Sequence, residues 1–166
     1  ANAEFDVMVR QFGEQVAFID CTFPAQAGLD DLRQGLERIR AEAEDAVRSG
    51  AGHLVLTDEH QGPDKVGMPM ILATSAVHSW LTRKGLRTFC SINVRAAECI
   101  DPHYFAVLIG SGATTVNPYV AEDSVAERVS RGLIEGSLID AMRRYRDAID
   151  AGLLKIMSKM GISVVS

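Results

Sequence analysis

Between Leu56 and Lys65 the chain reads LTDEHQGPDK, and the run gathers Thr57, Asp58, Glu59, His60, Asp64 and Lys65 into one short stretch. An imidazole near a carboxylate can pass a proton, because histidine titrates close to neutral pH. Asp58 and His60 are therefore candidate acid and base. Arg95 and Glu98, with Asn93, form a second polar group, and Asn117 and Tyr119 a third. Asn93, Arg95 and Asn117 are of the types that hold an anion, such as the phosphate of FMN. The same residues have a plainer use. A loop after a buried strand is solvated and needs polar side chains anyway, and Asp58 can cap that loop or pair with Arg95. Taken alone, the stretch favours the structural use.

Other chemical signals are weaker. Cys99 and His103 have a ligand-like spacing, with Cys90 nine residues before Cys99, but no second pair completes a zinc set. His78, beside Trp80 in an apolar run, reads as a packed histidine. Met157 and Met160 read as core or partner-facing surface, and Lys155 with Lys159 as a solvated basic pair. Gly110-Ser111-Gly112 looks like a phosphate loop. It precedes a strand, which puts it on the face opposite the usual ligand site, so helix capping is its expected role. No dinucleotide fingerprint and no P-loop is present.

The elements that must position these groups alternate. Strands are expected at 15–23, 53–57, 87–94 and 113–117, with a fifth starting at Ile162. Helices are expected at 29–50, 69–84, 103–109, 119–130 and 137–150, with a further helical piece at 153–160. In the first of these, Leu29, Leu32, Leu36, Ile39, Ala43, Ala46 and Val47 recur at helical spacing. Arg38, Glu42, Glu44 and Arg48 allow i,i+4 pairs on its other face, and Gly50 can cap its end. Pro69 opens the second helix and Gly85 follows it. Asp101-Pro102 marks a third start, with Asp101 as N-cap. Ser137 and Asp140 form a capping box. Residues 131–136 are a break, and Gly152 is expected to kink or interrupt the last helix. This rhythm predicts an α/β fold of right-handed βα units on a parallel sheet, either open or part of a TIM-like barrel.

The 166 residues suit one domain segment, spanning 1–166. At 47% hydrophobic and 23% charged the chain should be globular. Its net charge of -5 argues against a nucleic-acid partner. No apolar run is long enough to suggest a membrane span, and no signal peptide is visible. Cys21, Cys90 and Cys99 are odd in number and far apart, as expected of buried thiols in a cytoplasmic protein. Ala1 and the unfinished strand-like end suggest a segment of a longer polypeptide.

Four runs together are similar to one family: LVLTDEHQGPDKVGMPMILATSAVHSWL, GLRTFCSINVRAAE, HYFAVLIGSGATTVNPYVA and AIDAGLLKIMSKMGISVVS. From about Val16 onward the chain resembles the central domain of the large subunit of glutamate synthase. LLKIMSKMGIS and GATTVNPY carry the resemblance most specifically. It implies the C-terminal part of a rudimentary, barrel-like domain that links a glutaminase domain to an FMN-binding domain. The parent enzyme would release ammonia from glutamine, channel it to 2-oxoglutarate, and reduce the product to glutamate with FMN and an Fe–S cluster.

The resemblance places no catalytic, cofactor-binding or metal-binding residue in this segment. Ala1 stands where no cysteine nucleophile is available, and the three cysteines are not a cluster triplet. Many resembling sequences carry extra histidines around His78 and His103, and arginine at Glu59, which argues against essential roles there. The partners implied are the glutaminase and FMN-binding domains of the same polypeptide. Cut strand edges would favour self-association of the isolated segment.

Overall fold

The computed structural model describes residues 2–25 and 28–164, and all structural statements concern these. Six helices and six strands run in the order α1 (Asn2–Phe12), β1 (Val16–Asp20), β2 (Thr22–Pro24), α2 (Leu29–Arg48), β3 (His53–Thr57), β4 (Lys65–Gly67), α3 (Met70–Arg83), β5 (Ser91–Arg95), α4 (Pro102–Gly110), β6 (Thr115–Asn117), α5 (Tyr119–Ser130) and α6 (Leu138–Met160). β1, β3, β5 and β6 form one parallel sheet in that order. Each strand lies beside its predecessor in the chain, which is the order of a barrel rather than of a doubly wound sheet. The sheet stays open at four strands, so the fold is α/β and barrel-like in part.

The register divides the side chains between two faces. Ile19, Leu54, Leu56, Ile92 and Val94 are at most 1% exposed and pack with Ile39, Ala43, Val77 and Leu81 of α2 and α3. Full burial of a side chain of this size stabilises by about 1.5–3 kcal/mol. Arg38 pairs with Glu42 and Arg48 with Glu44 on the outer face of α2, both at 3.0 Å. The Trp80 indole donates to Glu44 at 2.7 Å and ties α3 to α2.

The opposite face carries Phe18, Val55, Asn93 and Thr115 in one row and Asp20, Thr57, Arg95 and Asn117 in the next. In a closed barrel this face would look inward. Here α1 lies against it. Phe5 meets Phe18 edge-on at 6.1 Å, and Phe12 stacks on His53 at 4.6 Å. The sequence reading assigned no element to α1.

Several boundaries depart from expectation, each for a local reason. The strand expected at 15–23 breaks at Cys21. Asp20 accepts from the Thr22 amide and hydroxyl, at 3.0 and 2.7 Å, and turns the chain. β2 then pairs antiparallel with β4 in a separate ribbon. Arg87–Phe89 is a 3-10 turn rather than strand. Arg87 is drawn aside there, donating to His78 Nδ1, the Cys90 carbonyl and the Gly112 carbonyl.

Gly152 does not interrupt α6, which runs unbroken through it. A Cβ at Gly152 would stand 2.5 Å from Pro102, so the glycine is there to let α6 approach α4. Ile162 to Val164 form no strand. The Ile162 amide closes back on the Met157 carbonyl at 2.9 Å, finishing α6 through a left-handed Gly161 at φ 69. The expected caps at Asp101 and Ser137 are in place.

Candidate functional site

The C-terminal ends of β3, β5 and β6 bring together Asp58, Glu59, Arg95, Asn117 and Tyr119. Asp58 is fully buried. Its carboxylate accepts from the Ala97 amide at 3.1 and 3.2 Å and from the Tyr119 hydroxyl at 2.9 Å. Burial raises its pKa, against the lowering effect of these bonds. Burial likewise raises that of Tyr119, with the Asp58 bond adding to it. Asp58 therefore caps a loop, as its plainer reading expected, but it does not pair with Arg95. Arg95 Nε donates to Glu59 at 2.9 Å, and Nη1 to Asn117 at 3.1 Å. Its guanidinium stacks 4.9 Å from the rings of both Phe5 and Tyr119.

The network extends to residues that no sequence signal marked. Asn117 donates to the Asn2 side chain at 3.1 Å and to Glu122 at 3.4 Å. Glu122 is 2% exposed, accepts from the Asn2 amide at 2.8 Å, and has its pKa raised by burial. Asn2 and Phe5 belong to α1, so that helix closes the cluster from above the sheet.

Other candidates stand apart. The His60 side chain is 57% exposed and lies 3.9 Å from Glu59, away from Asp58's contacts. Asn93 is buried and donates to the Leu54 carbonyl and the Ser91 hydroxyl, while Thr115 donates to it at 2.6 Å. Glu98 accepts from the Tyr104 hydroxyl at 2.8 Å. His78 packs as expected, accepting from Arg87 Nε at 3.0 Å, and burial lowers its pKa.

The three cysteines are free and buried. Burial pushes the Cys21 and Cys99 thiols up to about 12, the opposite of an activated thiolate. Cys99 is buried while His103 is exposed, and among the described residues no group of three or more His, Cys, Asp or Glu is placed to hold a metal. Gly110 ends α4 and Ser111 caps it, so the glycine pair is a helix end. Gly112 follows at φ +113, with the His78 ring where a Cβ would stand. Met157 is half-buried, and Met160, Lys155 and Lys159 are exposed on α6. No helix among the described residues is long and apolar enough to cross a membrane.

Fold and site together define an open βα-barrel fragment whose strand-end polar groups are bonded to one another. The glutamate synthase central domain model matches residues 1–166, and the chain belongs to that family. It is 58% identical to the glutamate synthase [NADPH] large chain of Azospirillum brasilense over 99% of this chain and 11% of that protein. It is 40% identical to the NADPH large chain of Bacillus subtilis (strain 168), over 82% of this chain and 9% of that protein. Against ferredoxin-dependent glutamate synthase 1 of Arabidopsis thaliana the identity is 40%, over 87% of this chain and 10% of that protein. The chain thus spans about a tenth of the relatives it matches.

Proposed function

We propose that this chain is a non-catalytic connector within a glutamate synthase large chain, the C-terminal part of its central domain. It holds the glutaminase and FMN-binding domains of the same polypeptide in register while ammonia passes from one to the other. The FMN and the Fe–S cluster belong to other parts of that polypeptide. In this reading the segment contributes no catalytic, cofactor-binding or metal-binding residue.

One observation carries the reading. The polar groups at the strand ends, where a βα barrel would present its reactive residues, are spent on one another. Asp58 is occupied by Ala97 and Tyr119, Arg95 by Glu59 and Asn117, and Glu122 by Asn2 and Asn117. A site that receives a substrate keeps donors aimed at open space. A flavin phosphate at Arg95 would have to displace Glu59 and enter between Phe5 and Tyr119, so the reading as an FMN-binding protein fits these residues poorly. His60 lacks contact with Asp58, which weakens the reading as an acid–base enzyme in the same way.

The test is a pair of half-reactions in the full-length enzyme. A connector variant such as Arg95→Met should leave glutamine hydrolysis and flavin reduction intact when each is assayed alone. It should raise the ratio of ammonia released to glutamate formed. Loss of either isolated half-reaction in a folded, flavin-loaded variant would overturn the proposal.

A further inference from the structure

The sheet ends at β6, and the free edge of β6 lines a cavity of about 440 Å³. Residues 114–118 form one wall, Tyr145, Ile149 and Leu153 of α6 the second, and Phe5 and Met8 of α1 the third. The strand β6 itself is three residues long, about 10 Å at roughly 3.3 Å per residue. A parallel strand laid beside β6 would occupy this space and cover the unpaired edge.

We propose that this cavity is a strand slot, and that its occupant is the polypeptide leaving α6 after Ile162, which runs parallel to β6 as a fifth sheet strand in the full-length protein. Two observations support that occupant over others. First, the sheet adds its strands in chain order, β1, β3, β5, β6. Right-handed crossovers put the strand that follows α5 and α6 on the free edge of β6. Second, α6 is itself a wall of the slot, through Tyr145, Ile149 and Leu153, so the chain leaves it on the free-edge side of β6. The relatives are about nine times as long as the matched segment.

An incoming strand brings backbone carbonyls and amides at regular intervals to pair with the β6 edge. The slot also asks for alternation. An apolar side chain would face Ile109, Ile149 and Leu153, and its neighbours would turn toward α1. Val164, exposed at 71% here, is an apolar residue of the right kind.

The inference uses the chain's place in a longer polypeptide and does not depend on the connector reading. Its test is made on full-length synthase. Thr115→Cys is combined in turn with Ser163→Cys and with Val164→Cys, and each pair is oxidised. Backbone amide exchange is followed over residues 113–118 in the unmodified enzyme and in the isolated 166-residue chain.

One of the two cysteine pairs should cross-link rapidly, and the β6 amides should exchange about tenfold or more slowly in the full-length protein than in the isolated chain. Protection of β6 without either cross-link would mean that another segment fills the slot, and would overturn the assignment. Fast exchange in both forms would overturn the slot itself. Protection that appears in the isolated chain only as its concentration rises would assign the edge to a second copy, again against the proposal.

Discussion

The hydroxyl of Tyr119 reaches across the top of the sheet to the carboxylate of Asp58, 2.9 Å away and 61 positions earlier in the chain. This bond joins the loop after β3 to the first turn of α5. Tyr119→Phe removes it while keeping the ring that stacks on Arg95. The expected cost is about 1–2 kcal/mol, since a hydrogen bond to a buried charged group is lost. Chemical denaturation of wild type and variant measures it. No change in midpoint would mean that the bond contributes nothing to the fold.

Asp58 should also leave a mark on the pH dependence of stability. Its folded pKa is raised by burial above the ordinary value of 3.8. A carboxyl raised in this way holds its proton more tightly when folded. Its contribution to stability is complete below 3.8 and is lost as pH rises through the folded pKa. Asp58→Asn has no such titration. Wild type should therefore gain on the variant as pH falls from 7 toward 4, with unfolding free energies measured at each pH. A constant difference across that range would refute the sign.

Arg95 is held by geometry as well as charge. Its planar head bridges Glu59 and Asn117 between two aromatic rings, and a lysine offers neither the fork nor the flat face. Arg95→Lys should destabilise by about 1–3 kcal/mol. It should also loosen α1, because Phe5 is one of the two rings. Limited trypsin digestion at Arg10, on α1, would report that loosening as faster cleavage. Equal cleavage rates would separate α1 from Arg95.

Gly152 offers a test in which helix propensity and packing disagree. Alanine in a helix interior gains roughly 1 kcal/mol over glycine. The added Cβ, however, would lie 2.5 and 2.6 Å from two carbons of the Pro102 ring. Forcing α4 and α6 apart should cost about 1–3 kcal/mol and outweigh the gain. Gly152→Ala is therefore expected to lower the melting temperature. A rise would mean that the two helices part easily.

His60→Ala should change neither the stability of the chain nor either half-reaction of the parent enzyme. The side chain is exposed, and among the described residues its one ionic neighbour is Glu59, at 3.9 Å. An exposed pair of this kind contributes little. A large fall in turnover would restore His60 as a candidate base.

The parts legible in the sequence were those fixed by near neighbours. Asp101 and Ser137 announced helix starts because each caps an amide three residues on. The apolar spacing of α2 gave its buried face from Leu32 to Val47, though Leu29 at its first turn is 86% exposed. What escaped depended on distant partners. β2 leaves the line of β1 to meet β4, some 40 residues later. α1 gains its place from Phe18 and His53, which lie on strands outside it. Gly152 read as a helix breaker because nothing in its own segment reveals Pro102. The site divided in the same way. The types of Asp58, Arg95 and Asn117 suggested chemistry, while bonds to partners as far as 115 positions away decided that these groups are spent within the protein.

The β2–β4 ribbon bears on how the loop around His60 can move. Thr22, Phe23 and Pro24 pair with Gly67, Val66 and Lys65. The Ala25 amide bonds Asp64 at 2.9 Å, and the Met68 amide bonds Cys21 at 2.8 Å. The far shoulder of the loop is thus laced to the segment after β1. A flap that admits and releases a reactant turns on hinges at its two ends, and here the far end is sewn into a ladder. Opening it would mean unzipping the ribbon, a motion on the scale of local unfolding rather than of turnover.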